Sequence, residues 1–242
     1  MFARNKVAML VAEFLGTAVL TLVVLAVQRS TIGIAYFVAL AAGLAVASLS
    51  YVFGSASGAH FNPAVTIGAW TARRVKTLPA ITYIVAQLLG AWAAYGIYTY
   101  FVNSSLQEIG GHATFRIFVA EGVGAFLFVF VWAAVAAQKL SASLVGAGLT
   151  LGIVVASVAS IGFVNPAVAL GARAWDIWGS MGWATYVAGP VVGGLLGYNL
   201  YEFVFNNGGV WFPAVKPAAA KATVSKPVAK SPAKKTAAKK RK

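Results

Sequence analysis

The chain has 242 residues, of which 60% are hydrophobic and 10% charged, and it contains no cysteine. Soluble domains carry about 25% charged residues, so a water-soluble globular fold is excluded, and the missing cysteines exclude disulfides, thiol chemistry and thiolate-bound metal. The formal charge of +14 is concentrated at one end: ten of the 19 Lys and Arg residues lie within residues 216–242, and the rest of the chain is close to +4.

Six apolar blocks occur in chain order at residues 7–27, 32–53, 78–102, 117–137, 141–160 and 183–205. Each approaches the ~20 residues a helix needs to cross about 30 Å of hydrocarbon. The first is too long for a cleavable leader and carries Glu13, so it reads as a span. Between the second and third blocks stands Ser57-Gly58-Ala59-His60-Phe61-Asn62-Pro63-Ala64-Val65, and between the fifth and sixth stands Asn165-Pro166-Ala167-Val168. Beyond the sixth, residues 207–242 are rich in Lys, Ala and Pro and are expected to be disordered. The expected organisation is a membrane body over residues 1–206 and a basic tail over 207–242. The favoured role of the tail is loose attachment to anionic lipid, with nucleic-acid binding the less favoured alternative.

Six spans put both termini on one face. Sixteen Lys and Arg residues fall on that face and three, Arg29, Arg116 and Arg173, on the other; without the tail the ratio is still six to three. The positive-inside bias makes that face cytoplasmic and the chain a multi-pass protein of the cell membrane.

The chain repeats itself. A shift of 103 residues superposes Ser57 on Ser160, Asn62-Pro63-Ala64-Val65 on Asn165-Pro166-Ala167-Val168, Gly68 on Gly171, Tyr83 on Tyr186 and Gly90 on Gly193. A shift of 108 superposes Ala12-Glu13 on Ala120-Glu121 and Gly16 on Gly124. Each half, about 7–102 and about 117–205, holds three spans, so the second enters the membrane from the opposite face. Inverted repeats of this kind place the functional site near the midplane, where the halves meet. The fold class expected is an all-α membrane protein of six transmembrane helices and two re-entrant half-helices.

Asparagine is a good N-cap and proline suits the first helical position. Asn62-Pro63 and Asn165-Pro166 therefore read as helix starts, the first helix running from Pro63 to about Ala72. Ten residues make about 15 Å, half the hydrocarbon thickness. The irregular stretches before them, 58–61 and 161–164, are tolerated at that depth only where they are buried or line a wet cavity. The carbonyls of Gly58, Ala59, His60, Ile161, Gly162 and Phe163 then form a ladder of acceptors. Glu13 and Glu121 are ionisable groups inside spans, a default sign of function. Their symmetric placement favours a structural role, accepting backbone N–H groups from the re-entrant loop of each half. His60 is read as packing its loop rather than as a pH gate, because its repeat counterpart is Phe163. With His112, the histidines are too few for a metal site. Glycines such as Gly146, Gly148, Gly152, Gly193, Gly194 and Gly197 read as close helix packing.

The two Asn-Pro-Ala motifs, Ser57-Gly58-Ala59-His60-Phe61 ahead of the first, Ala86-Gln87, Gly189-Pro190, Ala12-Glu13 and Ala120-Glu121 together resemble the aquaporin and glycerol-facilitator family over nearly the whole chain to about Phe205. The resemblance implies a passive channel for water and small neutral solutes and a homotetramer with one pore per subunit; the sequence shows no nucleophile, base or metal cluster, so neither a cofactor nor enzymatic activity is expected. It implies a pore midplane at Asn62, Pro63, Ala64, Asn165, Pro166 and Ala167. Family members usually carry arginine directly after the second Asn-Pro-Ala, whereas this chain has Val168. The other outer-filter positions fall on Ala42, Ile153 and Gly162, a small apolar set that implies a wider pore, open to glycerol, urea or ammonia, or one that dewets. Arg173 lies about two turns beyond and does not replace the missing arginine. The readings from other classes are an ion-coupled secondary transporter, which also uses inverted repeats, and a closed-pore membrane scaffold whose tail recruits partners.

Overall fold

The computed structural model describes residues 4–31, 33–107, 114–175 and 182–206; the tail and His112 lie outside them. The described residues form helices and no strand: α1 (Arg4–Gln28), α2 (Ala35–Ser57), α3 (Pro63–Thr71), α4 (Thr77–Val102), α5 (Phe115–Gln138), α6 (Ser143–Ala156), α7 (Pro166–Gly171), α8 (Gly182–Tyr186) and α9 (Ala188–Tyr201). A single π-helical turn, Glu202–Asn206, follows α9. By length and composition, α1, α2, α4 and α5 can each cross a membrane. Their outward faces stay apolar, with Leu44, Tyr100 and Phe115 exposed, while Glu13, Gln87, Glu121, Asn62 and Asn165 are buried inside. Such polarity suits a chain whose outer solvent is lipid.

Local chemistry sets the helix ends. Gly58, at φ 87°, closes α2 in the left-handed conformation that glycine adopts without penalty, and its N–H reaches Gly54 O at 2.9 Å. Thr114 caps α5 by accepting from Ile117 N at 3.2 Å. Two spans differ from expectation. The fifth, expected over 141–160, is helical only from Ser143 to Ala156. Ser157 Oγ turns back onto Ile153 O at 2.7 Å, and Val158 and Ala159 make tighter i→i−3 bonds, which winds the helix out before the loop. The sixth, expected over 183–205, is broken at Val187. Pro190 lacks the N–H that would bond Tyr186 and its ring crowds that carbonyl, so the chain restarts as α9.

The halves pack alike: α1 lies on α4 as α5 lies on α9, and α2 crosses α6 between them. Gly43 of α2 and Gly146 of α6 are equivalent by the 103-residue shift, and they touch each other. A Cβ on Gly43 would stand 2.7 Å from Gly146 O, and one on Gly146 would stand 2.2 Å from Gly43 O. A pair of equivalent residues in mutual contact marks the pseudo-twofold axis. Each half-helix packs against the last span of the other half, α3 on α9 and α7 on α4.

Candidate functional site

Both half-helices begin as their sequences require. Asn62 and Asn165 sit at their N-caps in extended backbone. Asn62 Oδ1 accepts from Ala64 N at 2.8 Å, and Asn165 Oδ1 accepts from Ala167 N at 3.0 Å and Val168 N at 3.4 Å. Proline at the next position needs no hydrogen bond there. At 1.5 Å per residue, the nine residues of α3 rise about 13 Å and the six of α7 about 9 Å.

The tips meet by exchange. Asn62 Nδ2 donates to Val164 O and Asn165 Nδ2 donates to Phe61 O, both at 2.9 Å. Phe61 and Val164 are themselves equivalent, and both hold the left-handed region, at φ 48° and 46°. For phenylalanine and β-branched valine that conformation costs on the order of 1–3 kcal/mol. It turns each carbonyl toward the opposing asparagine. Sequence reasoning missed these two acceptors, because nothing in a one-dimensional pattern reveals a bond across the axis.

Two buried carboxylates hold the strained loops. Glu13 Oε1 accepts from Ser57 Oγ at 2.6 Å and His60 N at 3.0 Å, and its Oε2 accepts from Phe61 N at 2.7 Å and Gln87 Nε2 at 2.8 Å. Glu121 Oε1 accepts from Ser160 Oγ and, at 3.0 Å each, from Gly162 N and Phe163 N, while Oε2 accepts from Val164 N at 2.6 Å. Each carboxylate thus takes four donors. The fourth comes from Gln87 in the first half; its counterpart in the second is Pro190, which has no donor to offer, and the Gly162 N–H supplies the bond. Gly162 stands at φ 77°, and a Cβ there would meet Ser157 Oγ at 2.6 Å and Ile153 O at 2.9 Å.

His60 is buried, with Nδ1 3.1 Å from Thr66 Oγ1 and its ring edge-on to Tyr83 and Trp132. Thr66 Oγ1 also donates to Asn62 O and accepts from Gln87 Nε2. Tyr83 OH donates to Ser57 O, and Trp175 Nε1 donates to Pro166 O at 2.8 Å. The carbonyls of Gly58, Ala59, His60, Ile161, Gly162 and Phe163 accept no hydrogen bond among the described residues.

Two cavities adjoin these loops. One, of about 180 Å³, is lined by Ala42, Ile153, Gly162 and Val168 together, and extends from Gln28 at one end to Asn165. The four residues counted from the motifs therefore line one cavity, and none of the four side chains is polar. The other, of about 220 Å³, is lined by Gly58, Ala59, Ser50, Trp132 and Lys139. Ser50 is buried and its hydroxyl has no hydrogen-bond partner among the described residues. Arg173 follows the end of α7, at φ 62°, and does not line the first cavity. Arg29 does not line it either; its guanidinium donates to Ala172 O and Gln107 O, at the negative end of α7. Beyond the end of α3, Arg74 pairs with Glu202, and that hydrogen bond holds the guanidinium above its usual pKa.

Comparison with known proteins gives a consistent picture. The family model for the major intrinsic protein matches residues 3–201. Aquaporin AqpM of Methanothermobacter thermautotrophicus is 31% identical, covering 69% of this chain and 76% of that protein. Aquaporin Z of Photorhabdus laumondii is 30% identical, covering 81% and 96%. The glycerol uptake facilitator protein-like 6 of Lactiplantibacillus plantarum is 32% identical, covering 76% and 92%. Among solved structures, the aquaglyceroporin of Plasmodium falciparum superposes with a TM-score of 0.62 at 25% identity, covering 82% of this chain and 96% of that one. On the matched length, the shared fold and these relatives, the chain is a multi-pass membrane protein that belongs to the major intrinsic protein family.

Proposed function

We propose that the chain is a passive channel for water and for small uncharged solutes of the size of glycerol, urea or ammonia. The observation that carries this reading is the meeting of two asparagine-capped half-helices beside a cavity that reaches Asn165 and is walled by Ala42, Ile153, Gly162 and Val168. Each asparagine amide has two N–H groups, and one of each is taken by the opposing loop. The second N–H of Asn62 and of Asn165 is left for the oxygen of a passing molecule. A water bound there turns its hydrogens away from the neighbouring waters and interrupts a proton wire. The unpartnered loop carbonyls supply acceptors on either side.

Selection by diameter, hydrogen-bonding groups and electrostatic barriers is the established mechanism of aquaporin-type pores. Here the electrostatic part is reduced. The N-terminal end of each half-helix contributes up to about half a positive charge, less for the short α7, and Val168 contributes none. An arginine 4 Å from a cation repels it by about 4 kcal/mol at an effective dielectric near 20, so its absence leaves a wider and less cation-tight outer constriction. Glu13 and Glu121 are each saturated by four donors, which argues against a proton- or ion-coupled transporter built on them. The working assembly is a homotetramer in the cell membrane with both termini cytoplasmic, its tail resting on anionic lipid.

Stopped-flow light scattering on vesicles containing the purified protein tests this. Faster shrinkage than empty vesicles in sucrose, and faster re-swelling in glycerol and urea, are expected without any ion gradient. Rates equal to those of empty vesicles for all three solutes would favour the closed scaffold.

A further inference from the structure

Two cavities on the outer face of α1 and α4 join into one groove. The first, about 430 Å³, is lined by Lys6, Met9, Lys76, Leu78 and Pro79, and the second, about 390 Å³, by Val11, Phe14, Val85 and Leu89; Leu10 and Thr82 line both, so the cavities meet there. The groove is apolar except at one end. Thr82 does not break that character, because its hydroxyl is spent on Leu78 O and Pro79 O at 3.1 and 3.0 Å, leaving its methyl outward. Lys6, in the first turn of α1, and Lys76, which precedes α4, converge on the open end, and neither forms an ion pair with a described residue. From Lys6 to Phe14 the α1 side rises about 12 Å, close to the depth of one leaflet.

We propose that this groove is a binding site for one anionic phospholipid, its phosphate between Lys6 and Lys76 and one acyl chain laid along Leu10, Phe14, Val85 and Leu89. The chemistry at the two ends matches that ligand and few others. Two unpaired ammonium groups beside a polar interface select a negative headgroup, and an apolar trench of leaflet depth accepts a chain. Lysines at the ends of spans ordinarily reach outward to the interface as separate charges; these two line a single cavity instead. Among the described residues, the groove is lined by those of α1, α4 and the residue before α4. It is independent of what the pore conducts.

The test is native mass spectrometry of the full chain, released from mixed micelles holding equal phosphatidylglycerol and phosphatidylcholine, with the retained lipids counted by headgroup. Wild type is expected to retain phosphatidylglycerol preferentially. The double variant Lys6→Gln/Lys76→Gln should lose about 25-fold of that preference, since each lysine near an anionic surface is worth about fivefold. Thr82→Trp, which fills the groove and leaves all charges in place, should lose one bound lipid per protomer; lipid held by the tail would be indifferent to it. Equal retention across wild type and both variants overturns the proposal. So does a Thr82→Trp chain that changes oligomeric state while its lipid count stays constant, which would mean that a second copy covers the groove. Vesicle water flux measured on the same variants keeps this outcome separate from the channel reading.

Discussion

Asn62 and Asn165 each hold the residue that precedes the other: Asn62 Nδ2 bonds Val164 O, and Asn165 Nδ2 bonds Phe61 O, both at 2.9 Å. The same two residues are anchored on their N–H side by Glu121 and Glu13. Each turn of left-handed backbone is therefore pinned at both ends, by its own half through a carboxylate and by the opposite half through an amide. Fold stability and pore geometry share these bonds.

Replacing Asn165 with Ala removes a cap from α7 and leaves the Phe61 carbonyl buried without its donor. Loss of the cap costs about 1 kcal/mol and the orphaned carbonyl about 1–3 kcal/mol. A lowered midpoint of thermal unfolding in detergent and reduced water flux in vesicles are expected together. A variant as stable and as conductive as wild type would remove the exchange from any central role.

Glu13→Gln and Glu121→Gln should both destabilise the chain, because each puts an NH2 group where a backbone N–H is donating. With the new NH2 at Oε2, the Phe61 N–H at position 13 and the Val164 N–H at position 121 lose their acceptor. With it at Oε1, the His60 N–H loses its acceptor at position 13, and the Gly162 and Phe163 N–H groups lose theirs at position 121. Each variant therefore leaves at least one unsatisfied buried donor, about 1–3 kcal/mol. A variant that melts with wild type in detergent would contradict the role given to that carboxylate.

Val168→Arg puts a guanidinium into the cavity shared by Ala42, Ile153 and Gly162. Glycerol and urea permeability should fall by about tenfold or more, the effect of some 1.4 kcal/mol on a barrier, with water flux reduced less. The readout is the ratio of solute to water permeability in one vesicle preparation, and an unchanged ratio would count against these four residues as the filter.

Gly146→Ala and Gly96→Ala make a matched pair. The new Cβ at 146 would lie 2.2 Å from Gly43 O on the pseudo-twofold axis, whereas at 96 there is nothing within 4 Å. Overpacking at the first should cost about 1–3 kcal/mol. The second, inside α4, should gain about 0.4–1 kcal/mol by restricting the unfolded chain. Tryptophan fluorescence during heating in detergent separates them; a Gly146→Ala chain that melts with wild type would show that α2 and α6 can part without penalty.

Much of this architecture is written in the residues themselves. Hydropathy and length mark the spans, because crossing hydrocarbon demands an uninterrupted run of satisfied backbone. The Asn-Pro pairs mark the half-helices, because capping and a missing N–H are local properties. The matched shifts of 103 and 108 residues, with three spans in each half, imply inversion by counting alone. What the chain order does not contain is anything that crosses the axis. That α6 stops at Ala156 and the last span breaks at Val187, that Gln87 supplies a fourth donor where Pro190 cannot, and that each asparagine closes on the other half's carbonyl were decided only by the folded arrangement. Hydrogen bonds between residues about a hundred positions apart depend on distance and angle in space, and no spacing along the sequence encodes either.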